Sequence, residues 1–385
     1  MPHCRRSECG IVLCQRDGQK VACKYDFCRC VRTRGQPVFL RRVFKKRIFA
    51  ESIGGGNKMC TCIAMQGNGL LFGRNMDIEY SFGERVVLRP RGFRQEYKRA
   101  ESPERAYAMV GMAALDSSVP LYAEACNEKG LCMASLNFPG NAYYFPSGKN
   151  GEIELAPYEL IPYILERCET VLQAEILLKR VCVVAVPFRE GLPLTPLHWM
   201  VADERDCLVA EPMCGGLRIY KNPVKVLTNN PPFPYHMERL NDFLNLKADY
   251  PENTMAKGLQ LAPNSQGMGG IGLPGDASSS SRFVRAAFLL HNSDVSDDSV
   301  SQVFHILSGV EMVRGSVRTR EGRSDTTTYS CCMDASNGIY YYKVYTNHRI
   351  HAVDMSRENL DGEKPLCYPF PKGEDILFQR TGTDQ

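Results

Sequence analysis

No apolar run in this 385-residue chain approaches the roughly 20 residues a membrane-spanning helix needs, which excludes such a span. The sequence has no Walker A loop, no H-E-x-x-H and no G-x-S-x-G, so P-loop nucleotide hydrolysis, zincin chemistry and the serine elbow of α/β-hydrolases are unsupported. It also lacks a secretory signal: the longest apolar run of its first 58 residues, Ile11 to Cys14, is far too short for an h-region. Those residues hold six of the 17 cysteines (Cys4, Cys9, Cys14, Cys23, Cys28 and Cys30) without a C-x-x-C pair, so a zinc ribbon or finger is poorly supported. The seven histidines (His3, His198, His236, His291, His305, His348 and His351) form no helical metal-ligand pair, and His198 beside Trp199 is expected to be buried. An odd cysteine total without a signal predicts reduced thiols in a cytoplasm.

Charge divides the chain in two. Residues 1–58 carry 14 Lys+Arg against 4 Asp+Glu, whereas the rest carries 33 against 39. The acidic body is therefore unsuited to holding nucleic acid by bulk charge. The end of the leader, Val38 to Phe49, mixes bulky apolar and basic residues, a pattern compatible with a membrane-surface helix or a nucleic-acid arm. With no coherent period, residues 1–58 are expected to lie outside the folded domain, which spans 59–385.

Structure is predicted to begin at Met59. Cys60–Met65 reads as a buried strand, Gln66–Gly69 as a turn and Leu70–Met76 as the returning strand. Further strand signals fall at Tyr107–Met112, Cys132–Asn137 and Gly338–Thr346, with a hairpin-rich block from His198 to Leu227. Helical patterns run from about Pro157, from the Thr170-x-x-Gln173 capping box, and near Ser281–His291 and Val300–Leu307. Strand runs alternating with helix pairs predict a layered α+β fold. Gly267–Gly272 matches G-x-G-x-x-G, but a loop precedes it and Leu273-Pro274-Gly275 follows, so no helix N-terminus faces a pyrophosphate.

The informative segment pairs Met59-Cys60 with Gly73-Arg74-Asn75-Met76-Asp77. If the chain began at Cys60, its α-amine, titrating near about 7.7–8.0, would serve as the base for its own thiol, near about 8.5. A hairpin would bring Arg74 beside the thiolate, and Asp77 would accept hydrogen bonds from the amine. Taken alone, these residues are explained more simply by a buried structural cysteine and a surface ion pair.

The series Met-Cys-Thr (59–61), Phe-Gly-Arg-Asn-Met-Asp-Ile-Glu-Tyr-Ser-Phe (72–82), Asn-Glu-Lys-Gly-Leu (127–131), Leu-Asn-Phe-Pro (136–139) and Leu-His-Trp-Met (197–200) resembles the choloylglycine hydrolase family. Leu-Thr-Asn (227–229), Gly-Leu-Pro-Gly-Asp (272–276), Ser-Arg-Phe (281–283), Met-Val-Arg-Gly-Ser (312–316) and Gly-Ile-Tyr-Tyr-Tyr (338–342) continue it in order. The resemblance implies a four-layer αββα N-terminal-nucleophile hydrolase sandwich without metal or cofactor. In such an enzyme Cys60 would be the nucleophile, Arg74 its thiolate contact and Asp77 the holder of the amine. Asn229 would supply the oxyanion hole with Asn137 as its second polar wall, and Arg282 would complete the site.

By the same resemblance, Asn137 favours conjugated bile salts over penicillin V as substrate. Met76, Leu115, Phe188, Leu192 and Leu197 would line the steroid pocket, with Asp116 an unusual polar neighbour. A cytoplasmic homotetramer is implied as well. Because the mechanism needs a free amine on Cys60, either 59 residues are removed or translation starts at Met59; the second is favoured, residues 1–58 then lying outside the native protein. The competing class is a nucleic-acid- or membrane-binding leader fused to an inactive body.

Overall fold

The computed structural model describes residues 59–116, 119–256, 258–294 and 299–379, together with the backbone of 12–16 and 19–23. In the leader, Val12–Arg16 and Gln19–Cys23 pair as a two-stranded antiparallel ribbon. The other calls made on residues 1–58 lie outside the described residues.

Two antiparallel sheets form the centre of the body. One contains β1 (Met59–Gly67), β2 (Gly69–Asp77), β10 (Val226–Leu227), β11 (Thr327–Asp334), β12 (Ile339–Val344) and β13 (Asn347–Asp354), ordered β10-β1-β2-β11-β12-β13. The other contains β3 (Arg85–Arg89), β4 (Met109–Asp116), β5 (Val119–Asn127), β6 (Cys132–Asn137), β7 (Leu197–Ala202), β8 (Cys207–Met213), β9 (Gly216–Lys221) and β14 (Leu366–Tyr368), ordered β9-β8-β7-β6-β5-β4-β3-β14.

Side-chain alternation assigns the layers. Val86, Leu88, Cys132, Ala134, Leu136 and Met200 join the core between the sheets, which also takes Cys62, Ala64 and Met76. Their strand neighbours Val87, Met133, Trp199 and Val201 enter an outer core with α1 (Leu160–Leu165) and α2 (Val171–Leu178). On the far side, α3 (Phe233–Arg239) meets α4 (Ser279–His291), and α4 and α5 (Ser299–Ser308) pack on β1, β2 and β11. The result is the expected αββα sandwich. Strands covered on both faces read as continuous apolar runs, which explains why Cys132–Asn137 is buried throughout.

Most predicted elements are present with small shifts. The strand expected at Tyr107 starts at Met109 because Tyr107 N–H donates to Glu166 O (3.1 Å) and Ala108 N–H to Glu128 Oε1 (2.8 Å), which occupies both amides elsewhere. Thr170 Oγ1 caps α2 by accepting from Gln173 N–H, but Gln173 Oε1 accepts from Glu169 N–H, one residue upstream of a reciprocal box. The G-x-G-x-x-G segment folds around a short 3-10 turn, Met268–Gly270, rather than forming a strand–helix junction. His198 is fully buried, between Glu211 and Thr228 O. Ten cysteines of the body are free thiols, nine of them buried; Cys214, in the half-buried turn between β8 and β9, is disulfide-bonded, so the expectation of reduced thiols fails there. Among the described residues no helix is long and apolar enough to cross a membrane.

Gly73 sets the distance between β2 and α5. A Cβ there would lie 2.6 Å from Val303 Cγ1, inside any tolerated contact. Gly73→Val should destabilise the fold by about 1–3 kcal/mol through overpacking, read as a lower urea midpoint. Gly270→Ala, with no atom near the new Cβ, should leave that midpoint nearly unchanged.

Candidate active site

The β1–β2 hairpin places Cys60 opposite Met76, Cys62 opposite Arg74 and Met59 opposite Asp77. Period-two geometry then sends Cys60, Arg74 and Met76 between the sheets, and Thr61, Asn75 and Asp77 toward α4 and α5. After leaving β9 at the edge of the eight-stranded sheet, the chain crosses to pair Leu227 with Cys62 in the other sheet. Asn229, two residues on, is thereby delivered beside Cys60.

The contacts follow from this placement. Arg74 Nη2 donates to Cys60 Sγ at 3.2 Å, and Met76 Sδ lies 3.8 Å from the same sulfur. Cys60 N–H donates to Asn229 Oδ1 at 2.9 Å. Arg282, in the first turn of α4, donates to Cys60 O (2.6 Å), Thr61 Oγ1 (2.6 Å), Asn229 Oδ1 (2.8 Å) and Ala277 O (3.0 Å). Asn229 Nδ2 spends one N–H on Asn137 O at 2.8 Å, keeping its second for a further acceptor. All six expected catalytic residues are buried and converge.

Asp77 accepts from Thr327 Oγ1 at 2.5 Å through Oδ1, while its buried Oδ2 has no partner. Thr327 Oγ1 in turn accepts from Met312 N–H, so its single proton is committed to Asp77. Desolvation pushes the Asp77 carboxyl up to about 6, against the opposing pull of Arg282 and Thr327. Burial also depresses Arg282, despite the nearby Asp77 and Cys60. For Arg74 burial acts downward too, but Cys60, Tyr329 and Glu124 together hold its guanidinium well above the ordinary value. Both guanidinium groups keep their charge in the working range.

The expected substrate-binding residues are spread more widely. Met76 touches the sulfur. Leu115 and Leu197 pack against the outer core, Phe188 meets Tyr158 edge-on with centroids 5.3 Å apart, and Leu192 is 50% exposed. Topology nonetheless puts all four at one end of the sandwich with Cys60: Leu197 pairs with Asn137, and β4 ends at Asp116 where β5 begins. An Asp116–Arg189 ion pair ties the β4–β5 turn to the loop carrying Phe188 and Leu192.

Sequence reasoning missed the supports of these groups. Glu124 accepts from Arg74 Nη1 at 2.5 Å. His236 Nε2 lies 2.9 Å from Asn229 O, Asn229 N–H donates to Ser279 Oγ at 2.8 Å, and Thr327 orients Asp77. A signal existed for Glu124, which is the one charge in the apolar run Leu121 to Cys126. The Gly-Leu-Pro-Gly-Asp segment proves to serve the start of α4: Asp276 accepts from Ser278 N–H and Ser281 Oγ, hydrogen bonds that hold its carboxyl down at about 2.

A buried thiol facing a fixed guanidinium, a side-chain amide accepting from the backbone nitrogen of the same residue, and a buried carboxylate on the paired strand are groups suited to amide cleavage. The family model for linear amide C–N hydrolases, choloylglycine hydrolase family, matches residues 60–368. The chain belongs to that family. It is 43% identical over 315 residues to a bile salt hydrolase/transferase of Lactiplantibacillus plantarum, covering 81% of this chain and 97% of the relative. To the bile salt hydrolase/transferase of Clostridium perfringens it is 38% identical, covering 82% and 98%. A crystal structure of a mutant conjugated bile acid hydrolase from Clostridium perfringens superposes with a TM-score of 0.78 at 36% identity, over 83% of this chain and 100% of that one. Penicillin V acylase from Agrobacterium tumefaciens shares the N-terminal-nucleophile fold, with a TM-score of 0.63 at 21% identity.

A second buried carboxyl, Asp325, lies near this centre with Oδ1 unpartnered. Burial, then the charges of Asp77 and Glu79, push it up to about 7. A raised carboxyl pKa means that the folded state holds the proton more tightly than the unfolded chain, whose value is near 3.8. Its stabilisation is therefore complete below that value and is lost as pH rises through about 7, with Asp77 adding the same trend through about 6. The wild-type urea midpoint should fall between about pH 5 and about pH 8, and Asp325→Asn should fall less.

Proposed function

We propose that the enzyme hydrolyses the amide bond of glycine- or taurine-conjugated bile salts, with Cys60 as its N-terminal nucleophile. The observation that carries this reading is the convergence of Arg74, Asn229 and Arg282 on Cys60, with the unpartnered Asp77 Oδ2 beside the strand that Cys60 opens. The relatives named for bile salts support the substrate class.

Once Cys60 is the first residue, its amine takes the thiol proton and Sγ attacks the amide carbonyl. The second N–H of Asn229 stabilises the developing oxyanion, a contribution of roughly 3 kcal/mol for one preorganised donor. Asn137 forms the adjoining polar wall. The protonated amine then gives its proton to the departing glycine or taurine, leaving an acyl thioester on Cys60. Water, deprotonated by the same amine, releases the bile acid and regenerates the thiol. Asp77 Oδ2 receives an N–H of the amine, and Arg282 holds the Cys60 carbonyl so that the chain end does not swing away. Met76, Leu115, Phe188, Leu192 and Leu197 line the apolar wall that a rigid steroid requires.

A free amine requires removal of the leader or a start at Met59, and we favour the latter. The body has its own two cores, and the Clostridium perfringens enzyme it matches along its full length is a folded protein. We further propose a cytoplasmic homotetramer, to which the exposed apolar residues Leu244, Met255 and Ile271 are suited; light scattering should give four times the protomer mass.

The test is release of glycine or taurine from glycocholate and taurocholate by protein begun at Met59 and by the full chain. Intact mass of the active species should show Cys60 first, and phenoxyacetate release from penicillin V should be slower. Cys60→Ser should fold but lose at least about 100-fold in turnover, because a hydroxyl is a far weaker nucleophile than a thiolate. Full activity in a species that retains Met1, or wild-type-like turnover of the serine variant, would sink the mechanism. Faster penicillin V cleavage would overturn the substrate.

A further inference from the structure

Glu124 sits on β5 of the eight-stranded sheet, and its side chain is completely buried between the sheets. Every side chain recorded on its carboxylate comes from the opposite sheet. Arg74 Nη1 of β2 donates to Oε2 at 2.5 Å, and the ion pair is closed to solvent on both sides. Tyr329 of β11 donates at 2.9 Å to Oε2, Tyr340 of β12 at 2.7 Å to Oε1, and the Cys331 thiol lies 3.7 Å from Oε1. The field of this carboxylate also reaches Cys62 of β1. Its backbone neighbour Ala123 O takes a second bond from Arg74 Nη1 at 2.8 Å.

Arg74 is thus held by one nitrogen and aimed by the other. Nη1 is spent on Glu124 and Ala123 O, which leaves Nη2 facing Cys60 Sγ at 3.2 Å and Met76 Sδ at 3.5 Å. We infer that Glu124 is a positioning residue for amide hydrolysis, fixing the Arg74 guanidinium against Cys60 and balancing its charge whenever the sulfur is uncharged. The inference rests on Cys60 being the nucleophile.

The need for such a group follows from the reaction. During turnover Sγ alternates between a thiolate and a neutral thioester. In the thioester state a buried guanidinium without a counter-charge would be strongly disfavoured, or would rotate away from the sulfur. Glu124 removes that alternation, since Arg74 stays paired whether or not the sulfur carries charge. The two tyrosine hydroxyls satisfy the carboxylate from the far side, so the pair does not depend on water.

The test is alkylation of Cys60 by iodoacetamide in the mature protein, mapped by mass spectrometry and followed against pH, beside the rate of glycocholate hydrolysis. In Glu124→Gln the thiolate becomes the only counter-charge in contact with Arg74. The pH midpoint of Cys60 alkylation should then move down by about one unit or more, while kcat/KM falls at least about tenfold. Glu124→Asp withdraws the carboxylate by one methylene; it should shift the midpoint in the same direction by less and serves as the readout if the glutamine variant does not fold. Variants that lose thermal stability but keep the wild-type midpoint would reduce Glu124 to a tie between the sheets and overturn the inference. Wild-type-like glycocholate hydrolysis by protein fully alkylated at Cys60 would instead refute Cys60 as the nucleophile.

Discussion

The buried guanidinium of Arg282 is the constraint on which the site depends. It binds the carbonyl of Cys60, the hydroxyl of Thr61, the amide oxygen of Asn229 and the carbonyl of Ala277, joining β1, the segment after β10 and the start of α4 at one point. A cation withdrawn from water survives only where its donors are satisfied, so the three segments cannot drift independently. Asn229 is further pinned through its own backbone by His236 and Ser279. The Asn229 side-chain amide is consequently set by the helix layer, although it stands next to a strand.

The thiol is controlled from the other direction. Arg282 reaches β1 from the α4 side, whereas Arg74 reaches Cys60 Sγ from within the inter-sheet core. Each arginine has its principal carboxylate: Asp77 acts through space on Arg282 more than on Arg74, and Glu124 contacts Arg74 directly. Strand alternation makes this separation possible, since Asp77 and Arg74 are three residues apart on β2 and face opposite ways. The backbone nitrogen and the sulfur of one cysteine can thereby be managed by two polar systems that do not compete.

Much of this was legible in the sequence. The β1–β2 hairpin, the strand Cys132–Asn137, both helix pairs and the place of Gly267–Gly272 outside any strand–helix junction follow from periodicity and turn chemistry, and the ordered motifs carried the family and the six converging residues. Strands β3, β5, β11, β13 and β14 escaped notice. In β11, Thr327-Thr328-Tyr329-Ser330-Cys331-Cys332 shows little apolar alternation, because Thr327 and Ser330 bond polar partners from the helix side while Tyr329 and Cys331 meet Glu124. A strand whose two faces are both buried but chemically different has no simple period.

What the sequence determined by itself is therefore local and chemical: which residues pair in the hairpin, which segments are helical, and which side chains have the types that amide cleavage needs. Tertiary structure alone decided how those types are supported. That Thr327 commits its proton to Asp77, that Glu124 anchors Arg74 across the sandwich and that the chain crosses between sheets to bring Leu227 beside Cys62 are all contacts between residues far apart in the chain. Such contacts arise from the stacking of two sheets and the register of their strands, and no local propensity encodes them.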